Sequence, residues 1–287
     1  MYCTIPFIRG RYRSRPTSEI LAEVEHFAGL GVREFILVAQ DLTKYNHDGV
    51  NLVSLVRSIS KIKGVHRIRL HYVYPHGVTD ELVDEIATND RVCKYLDIPM
   101  QHVAPRLVGL MNRRGGAGEY LALVNKLRAR IPDIAIRSTF MVGFPTETDA
   151  EFAELCGFIQ TARLDFVGFF AYSRERGTRA YSMEQIPANI RRERLRAIER
   201  LQSEILQEKN RVMLLPPQRG GSNRGEKPQK VICDYYDGVL GYSITRTEHQ
   251  SPEVDPCVIV YGELTAGEVY TVKITGTHKQ HLIGEIV

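Results

Sequence analysis

The sequence has no run of about 18 apolar residues, so it offers no membrane-spanning helix. Its first residues are not a basic stretch followed by an apolar one, which predicts no secretory signal and a cytoplasmic protein. Its five cysteines, Cys3, Cys93, Cys156, Cys233 and Cys257, form no Cys-x-x-Cys pair and no metal-finger spacing. They read as reduced thiols, and all but Cys3 lie in or beside apolar runs, where a free cysteine behaves as a small buried hydrophobe. A strong charge of either sign is also missing. A net +4 over 287 residues hints at an anionic partner without requiring one.

What is present is ordinary globular composition, in a chain long enough for one large domain and a small one. From residue 18 the pattern alternates. "SEILAEVEHFAGLG" has helical spacing, with Ser18 as the expected N-cap and Gly31 as the stop, and it leads into the apolar strand "EFILVAQ". The same unit recurs through the strands "HRIRLHYVY", "KYLDIPMQ", "IAIRSTFMVGF" and "FVGFFAYS", each preceded by an amphipathic helix. Repeated strand–helix units with short links predict a mostly parallel sheet wrapped by helices. A long charged helix, "NIRRERLRAIERLQSEILQEKNRVM", follows, then a Pro-, Gly- and Arg-rich break. The rest is strand-like, with an Asp-Gly hairpin signal in "YDGVLG". The expected division is an α/β part over 1–213, a linker over 214–225 and an all-β module over 226–287.

In a parallel α/β barrel, chemistry collects at the carboxyl ends of the strands, where loops vary on a fixed frame. Those ends carry Gln40 and Asp41; His71, Tyr72, Tyr74 and His76; Pro99, Gln101 and His102; Gly143, Phe144, Pro145 and Glu147; and Tyr172 and Ser173. Such a polar ring suits a polar small molecule. In "GFPTETDAEF" glycine allows close approach to the backbone, proline ends the ladder, and Thr148 to Glu151 forms a capping box.

"GFPTET", "YLDIPMQH" and "CTIPFIRGRYRSRP" together resemble the radical S-adenosylmethionine methylthiotransferases, in order and over essentially the whole chain. The resemblance implies a partial parallel (β/α) radical SAM barrel lacking its first strand, with a small C-terminal barrel of the TRAM type. It implies a [4Fe-4S] cluster and S-adenosyl-L-methionine as cofactors, with an electron donor such as flavodoxin or ferredoxin. Cys3 matches the third cysteine of the cluster motif and is the expected metal ligand; Gln101, Arg137, Gly143, Phe144, Pro145, Glu147 and Asp41 are the expected cofactor-binding residues. "VAQDLTKYNHD", "RLHYVYP" and "SPEVDPCVIVYG" resemble the branch that methylthiolates an aspartate of the twelfth small-subunit ribosomal protein. Asp41 stands where the tRNA-modifying branch typically carries Asn.

The sequence departs from that family at its beginning. Met1 and Tyr2 fill the spacer before Cys3, and the two other cluster cysteines and the first barrel strand are expected upstream of Met1. The expectation is therefore an amino-truncated chain that holds no stable cluster, with the apolar "FILV" strand bared at an edge. From Glu226 onward acidic residues outnumber basic ones by roughly nine to five, a poor footprint for phosphate on the barrel. Two alternatives remain: a tRNA methylthiotransferase of the same fold, or a non-catalytic module that holds RNA or the ribosome.

Overall fold

The computed structural model describes residues 2–215 and 227–287, so Met1 and residues 216–225 of the expected linker lie outside the described residues. A short helix α1 (Ile5–Arg9) precedes α2 (Thr17–Gly29) and β1 (Glu34–Leu37). A small hairpin of β2 (Asn46–His47) and β3 (Val50–Asn51) leads to α3 (Leu52–Ser60) and β4 (Arg67–Leu70). Next come α4 (Asp80–Thr88), β5 (Val92–Asp97), α5 (Pro105–Leu110), α6 (Ala117–Arg130), β6 (Ala135–Val142), α7 (Asp149–Ala162) and β7 (Phe166–Ala171). The sheet runs β1-β4-β5-β6-β7 and every pairing in it is parallel. Strand β1 pairs with β4 on one side only among the described residues, so it is an edge.

Alternation along the strands sorts the two faces of this sheet. Ile68, Leu70, Ile136, Phe140 and Val142 join the apolar core with α3, α4, α6 and α7. Their neighbours Arg67, Arg69, Asp97 and Arg137 belong to the other face, which the helices leave uncovered. Local chemistry starts the helices. Asn51 Oδ1 accepts from Ser54 N at 2.9 Å to cap α3, and Thr79 Oγ1 accepts from Leu82 N at 3.2 Å to cap α4. At α7 the capping box forms as the sequence predicts. Ser18 does not cap α2. That helix begins at Thr17 behind Pro16, whose fixed φ sets the entry, and Ser18 sits in the first turn.

Helix α8 (Ala188–Leu214) lies against β7 and α7 and buries Arg194, Ile198, Gln202, Ile205 and Asn210. Beyond it, β8 (Gln229–Asp237), β9 (Tyr242–Arg246), β10 (Val258–Tyr261), β11 (Val269–His278) and β12 (His281–Ile286) close into a barrel in the order β10-β12-β11-β8-β9. Val231, Val258, Val260, Val272, Ile274 and Leu282 fill it. The Asp-Gly signal does mark the β8–β9 turn, but not a two-residue one. Asp237 Oδ1 accepts from Val239 N and Leu240 N, both at 3.0 Å, and Gly241 N closes on Asp237 O at 2.8 Å, making a four-residue loop.

The barrel is joined to the uncovered face of the sheet by the segment between β9 and β10. Arg246 bonds Glu34 of β1 at 3.1 Å and Asp234 of β8 at 2.7 Å, while Arg69 of β4 bonds Glu34 at 2.7 Å and Glu248 O at 2.9 Å. Burial works against the Glu34 charge, yet Arg69, Arg246 and Arg67 around it hold its carboxyl below the usual carboxylate range. Farther along, Asp255 accepts from Tyr95 Oη at 2.8 Å and from Arg137 Nε at 3.2 Å, and Ser251 Oγ bonds His71 Nε2 at 2.9 Å. This segment therefore crosses the polar face from β1 to β6.

Candidate active site

The β6–α7 turn is built around one carboxylate. Glu147 has a fully buried side chain; Oε1 meets His102 Nε2 at 3.1 Å, and Oε2 accepts from Gly143 N at 2.6 Å and from Arg194 of α8. Ala104 N donates to His102 Nδ1 at 3.1 Å, which leaves the ring proton on Nε2, directed at Glu147. Glu147, expected to bind cofactor, thus has both oxygens engaged inside the turn. Gly143 has φ +69°, and a Cβ there would fall 2.3 Å from Arg191 Cγ. The group that approaches this glycine is the chain's own α8. Phe144 and Pro145 are buried, and Phe144 meets Tyr172 edge to face at 5.4 Å.

Outside the turn, Arg106 of α5 clamps Glu151 through Nε at 2.8 Å and Nη2 at 2.6 Å, and also reaches Thr146 O at 2.8 Å. Burial raises the Glu151 carboxyl, but Arg106 and the Thr148 amide and hydroxyl together overcome it and lower the pKa to about 2.

Gln101 follows β5 with φ +70°, its N–H donating to Thr139 O at 2.8 Å and its carbonyl accepting from Met141 N at 2.8 Å. These bonds hold its side chain at the strand tips, where Oε1 accepts from Tyr2 Oη at 3.1 Å. Tyr2 also packs edge to face on Phe144 at 6.2 Å. Cys3 is thereby carried to the carboxyl ends of β5 and β6, partly exposed. Arg113, which no sequence motif singles out, completes this group. It stacks over Tyr74 at 4.4 Å and donates to Tyr74 Oη at 2.9 Å and Pro99 O at 3.1 Å.

The remaining expected residues lie apart from this group. Asp41 is 3% exposed and caps a single 3-10 turn over Leu42–Lys44, accepting from Thr43 Oγ1 at 2.6 Å and Thr43 N at 3.2 Å; Lys44 Nζ stands 3.6 Å from its other oxygen. Arg137 sits on the polar face of β6 between Asp97 at 3.1 Å and Asp255 at 3.2 Å. Burial pushes its pKa down but the two carboxylates prevail and raise it, so it stays a fixed cation. His71, buried and close to Arg69 and Arg137, is pushed down to about 4 in spite of Asp97 and is neutral at pH 7.

A four-iron cluster that leaves one iron open for S-adenosylmethionine needs three thiolates brought together. Cys3 is the one thiolate at these strand ends, and no group of three His, Cys, Asp or Glu side chains able to hold a metal occurs among the described residues. By themselves the described residues do not fit that cluster. The polar atoms at the strand tips, Gln101, Tyr2 and Arg113, offer the mixed donors and acceptors that a zwitterionic, hydroxyl-bearing ligand needs.

Comparison with known proteins gives this geometry its class. Residues 1–159 match the radical SAM superfamily and residues 227–287 match the TRAM domain. The chain belongs to the radical SAM superfamily, which its parallel sheet and closed five-stranded barrel accommodate. Coproporphyrinogen III oxidase (HemN) from Escherichia coli, a radical SAM enzyme, shares the fold with a TM-score of 0.53 and 13% identity, over 81% of this chain and 60% of that one.

Within the superfamily the chain is similar to the RimO proteins. It is 43% identical to the ribosomal protein uS12 methylthiotransferase RimO of Thermodesulfovibrio yellowstonii over all of this chain and 65% of that protein. The RimO proteins of Acetivibrio thermocellus and Clostridium kluyveri are each 40% identical, over 100% and 99% of this chain and 62% of theirs. The chain thus spans somewhat under two thirds of the length of these relatives. No helix among the described residues is long and apolar enough to cross a membrane.

Proposed function

We propose that the chain provides the S-adenosylmethionine-binding core and the TRAM barrel of a methylthiotransferase that modifies an aspartate of ribosomal protein uS12. The observation that carries this reading is the 43% identity to a uS12 methylthiotransferase, over all of this chain, sheet and barrel alike. The excess of acidic residues in the barrel suits a basic protein substrate better than tRNA. In this reading Gln101, with Gly143, Phe144 and Pro145 behind it, borders the cofactor, and Arg113 and Tyr74 face its polar groups. Glu147 acts on the cofactor only by holding the turn, and Asp41 by fixing the loop after β1. Arg137 serves as an anchored cation at the floor. The protein would work in the cytoplasm, with flavodoxin or ferredoxin as electron donor.

As a polypeptide of these 287 residues alone, the protein is expected to be inactive, because Cys3 is a single thiolate. Anaerobic reconstitution with iron and sulfide should leave no stable four-iron absorbance, and a stoichiometric cluster would overturn that statement. The substrate assignment is tested by mass spectrometry of uS12 and of tRNA from cells with the gene disrupted. Loss of the methylthio group from a uS12 aspartate supports it. Loss from tRNA with uS12 intact refutes it.

A further inference from the structure

At the amino ends of β4 and β5, opposite the candidate active site, an open cleft of about 510 Å³ lies between the sheet and the barrel. His66, Arg67, Arg91 and Lys230 line it, against Asp90 and Glu248. It meets, at Gly64, a second open cleft of about 650 Å³ whose walls include Arg33, Lys61 and Lys63, against Glu25. Six permanent cations thus face three carboxylates along one continuous trough.

The guanidinium groups of Arg91 and Arg67 are oriented by backbone carbonyls. Arg91 donates to Ile62 O at 2.9 Å and Val65 O at 2.8 Å, and Arg67 to Lys230 O at 2.7 Å and Arg246 O at 3.0 Å. Carbonyl partners fix direction and leave the charge of Arg91 in place, whereas Arg67, buried deeper, is also ion-paired with Glu34 at 4.0 Å. Arg33, Lys61, Lys63 and Lys230 form no ion pair with a described residue. Of the three carboxylates, Glu248 is already turned to Lys94 N at 3.0 Å. The convergence registers on His66, whose pKa is lowered by burial and then by Arg33, Arg91, Arg67 and Lys230 together.

We propose that this trough binds the phosphodiester backbone of RNA. An open channel with exposed lysines on flexible stems matches an elongated, repeating anion rather than one enclosed small ligand. RNA is favoured over an acidic protein because the inference rests on the proposed action on a ribosomal protein, whose native setting is RNA. The trough lies away from the strand tips, so RNA held there leaves the candidate active site open.

The test is fluorescence anisotropy of the full chain with a short labelled single-stranded RNA across a salt series. Changing Lys61, Lys63 and Lys230 to Gln removes three phosphate contacts. The slope of log affinity against log salt should flatten by about 2, and binding at about 0.15 M salt should weaken about fifty-fold. All three side chains are exposed, so folding should be unaffected, which circular dichroism checks. The control changes Arg192, Arg196 and Arg200, exposed on α8, to Gln. An equal loss in the control, or unchanged binding in the trough variant, overturns the proposal. So does equal affinity for a poly-glutamate peptide, or displacement of RNA by an equal concentration of inorganic phosphate. Synthetic RNA makes this result independent of the uS12 assay: either can fail while the other stands.

Discussion

Replacing Glu147 with Ala removes three hydrogen bonds from a site no water reaches. Arg194, 7% exposed, loses its buried partner and keeps Asp149 at 2.6 Å and the carbonyl of residue 147 at 3.2 Å. Removing one member of a buried pair costs about 3–5 kcal/mol, and the surviving Asp149 contact places this case at the low end. His102 Nε2 and Gly143 N are then left as buried donors, each worth about 1–3 kcal/mol, although such losses are not additive. The expected destabilisation is about 4 kcal/mol. Glu147→Gln keeps the volume and one acceptor oxygen, so Gly143 N stays bonded while the charge opposite Arg194 is lost; the expectation is about 2 kcal/mol. Urea unfolding followed by circular dichroism measures both, as a fall in midpoint with the slope preserved. If Ala costs less than about 1 kcal/mol, packing of Phe144 and Pro145 holds the turn and the carboxylate does not. Equal effects of Gln and Ala would also refute the account, because the acceptor oxygen and volume that Gln keeps would then count for nothing.

Three further outcomes follow. His71 has its folded pKa depressed from 6.5 to about 4, so the unfolded chain binds more protons between those values and stability falls as pH drops through that window, by at most about 1.4 kcal/mol per unit. His71→Asn should flatten this part of the pH–stability curve; an unchanged slope counts against the assignment. Glu151 also has a depressed folded pKa, so its contribution is intact above about 4.5 and lost towards about 2, and Glu151→Gln should remove only that lower limb. Asp255→Ala strips Arg137 and Tyr95 of a fully buried partner, and a calorimetric melt should split as the barrel loosens from the sheet, whereas a single unshifted transition would show that Arg246 and Arg69 suffice.

The parts of this molecule that could be read from sequence are those whose partners are close in the chain. Thr148 and Glu151 are three residues apart, so their capping box and the start of α7 were legible. The parallel order of the strands followed from the recurring helix–strand alternation, and Gln101 and Gly143 could be placed at strand tips by position alone. Glu147 looked like a site residue because its burial depends on Arg194, 47 positions away on a helix whose charged surface reads as solvated. Arg137 likewise finds Asp255 across 118 positions, in another domain. Arg113 and α5 carry no periodicity at all. The Asp-Gly signal placed the β8–β9 hairpin but not the length of its loop, which the Asp237 side chain sets by bonding two backbone amides.

The segment linking β9 to β10 gives the sheet a direction of traffic. With Asp255, Ser251 and Glu248 bonded across the polar face, the segment lays barrel residues over the lower half of that face, below Tyr2, Gln101 and the β6–α7 turn. Under the proposed function, a substrate side chain entering from the strand tips would meet a floor that belongs to the barrel. Docking and depth of insertion would then be set by one rigid unit, like the stop on a drill.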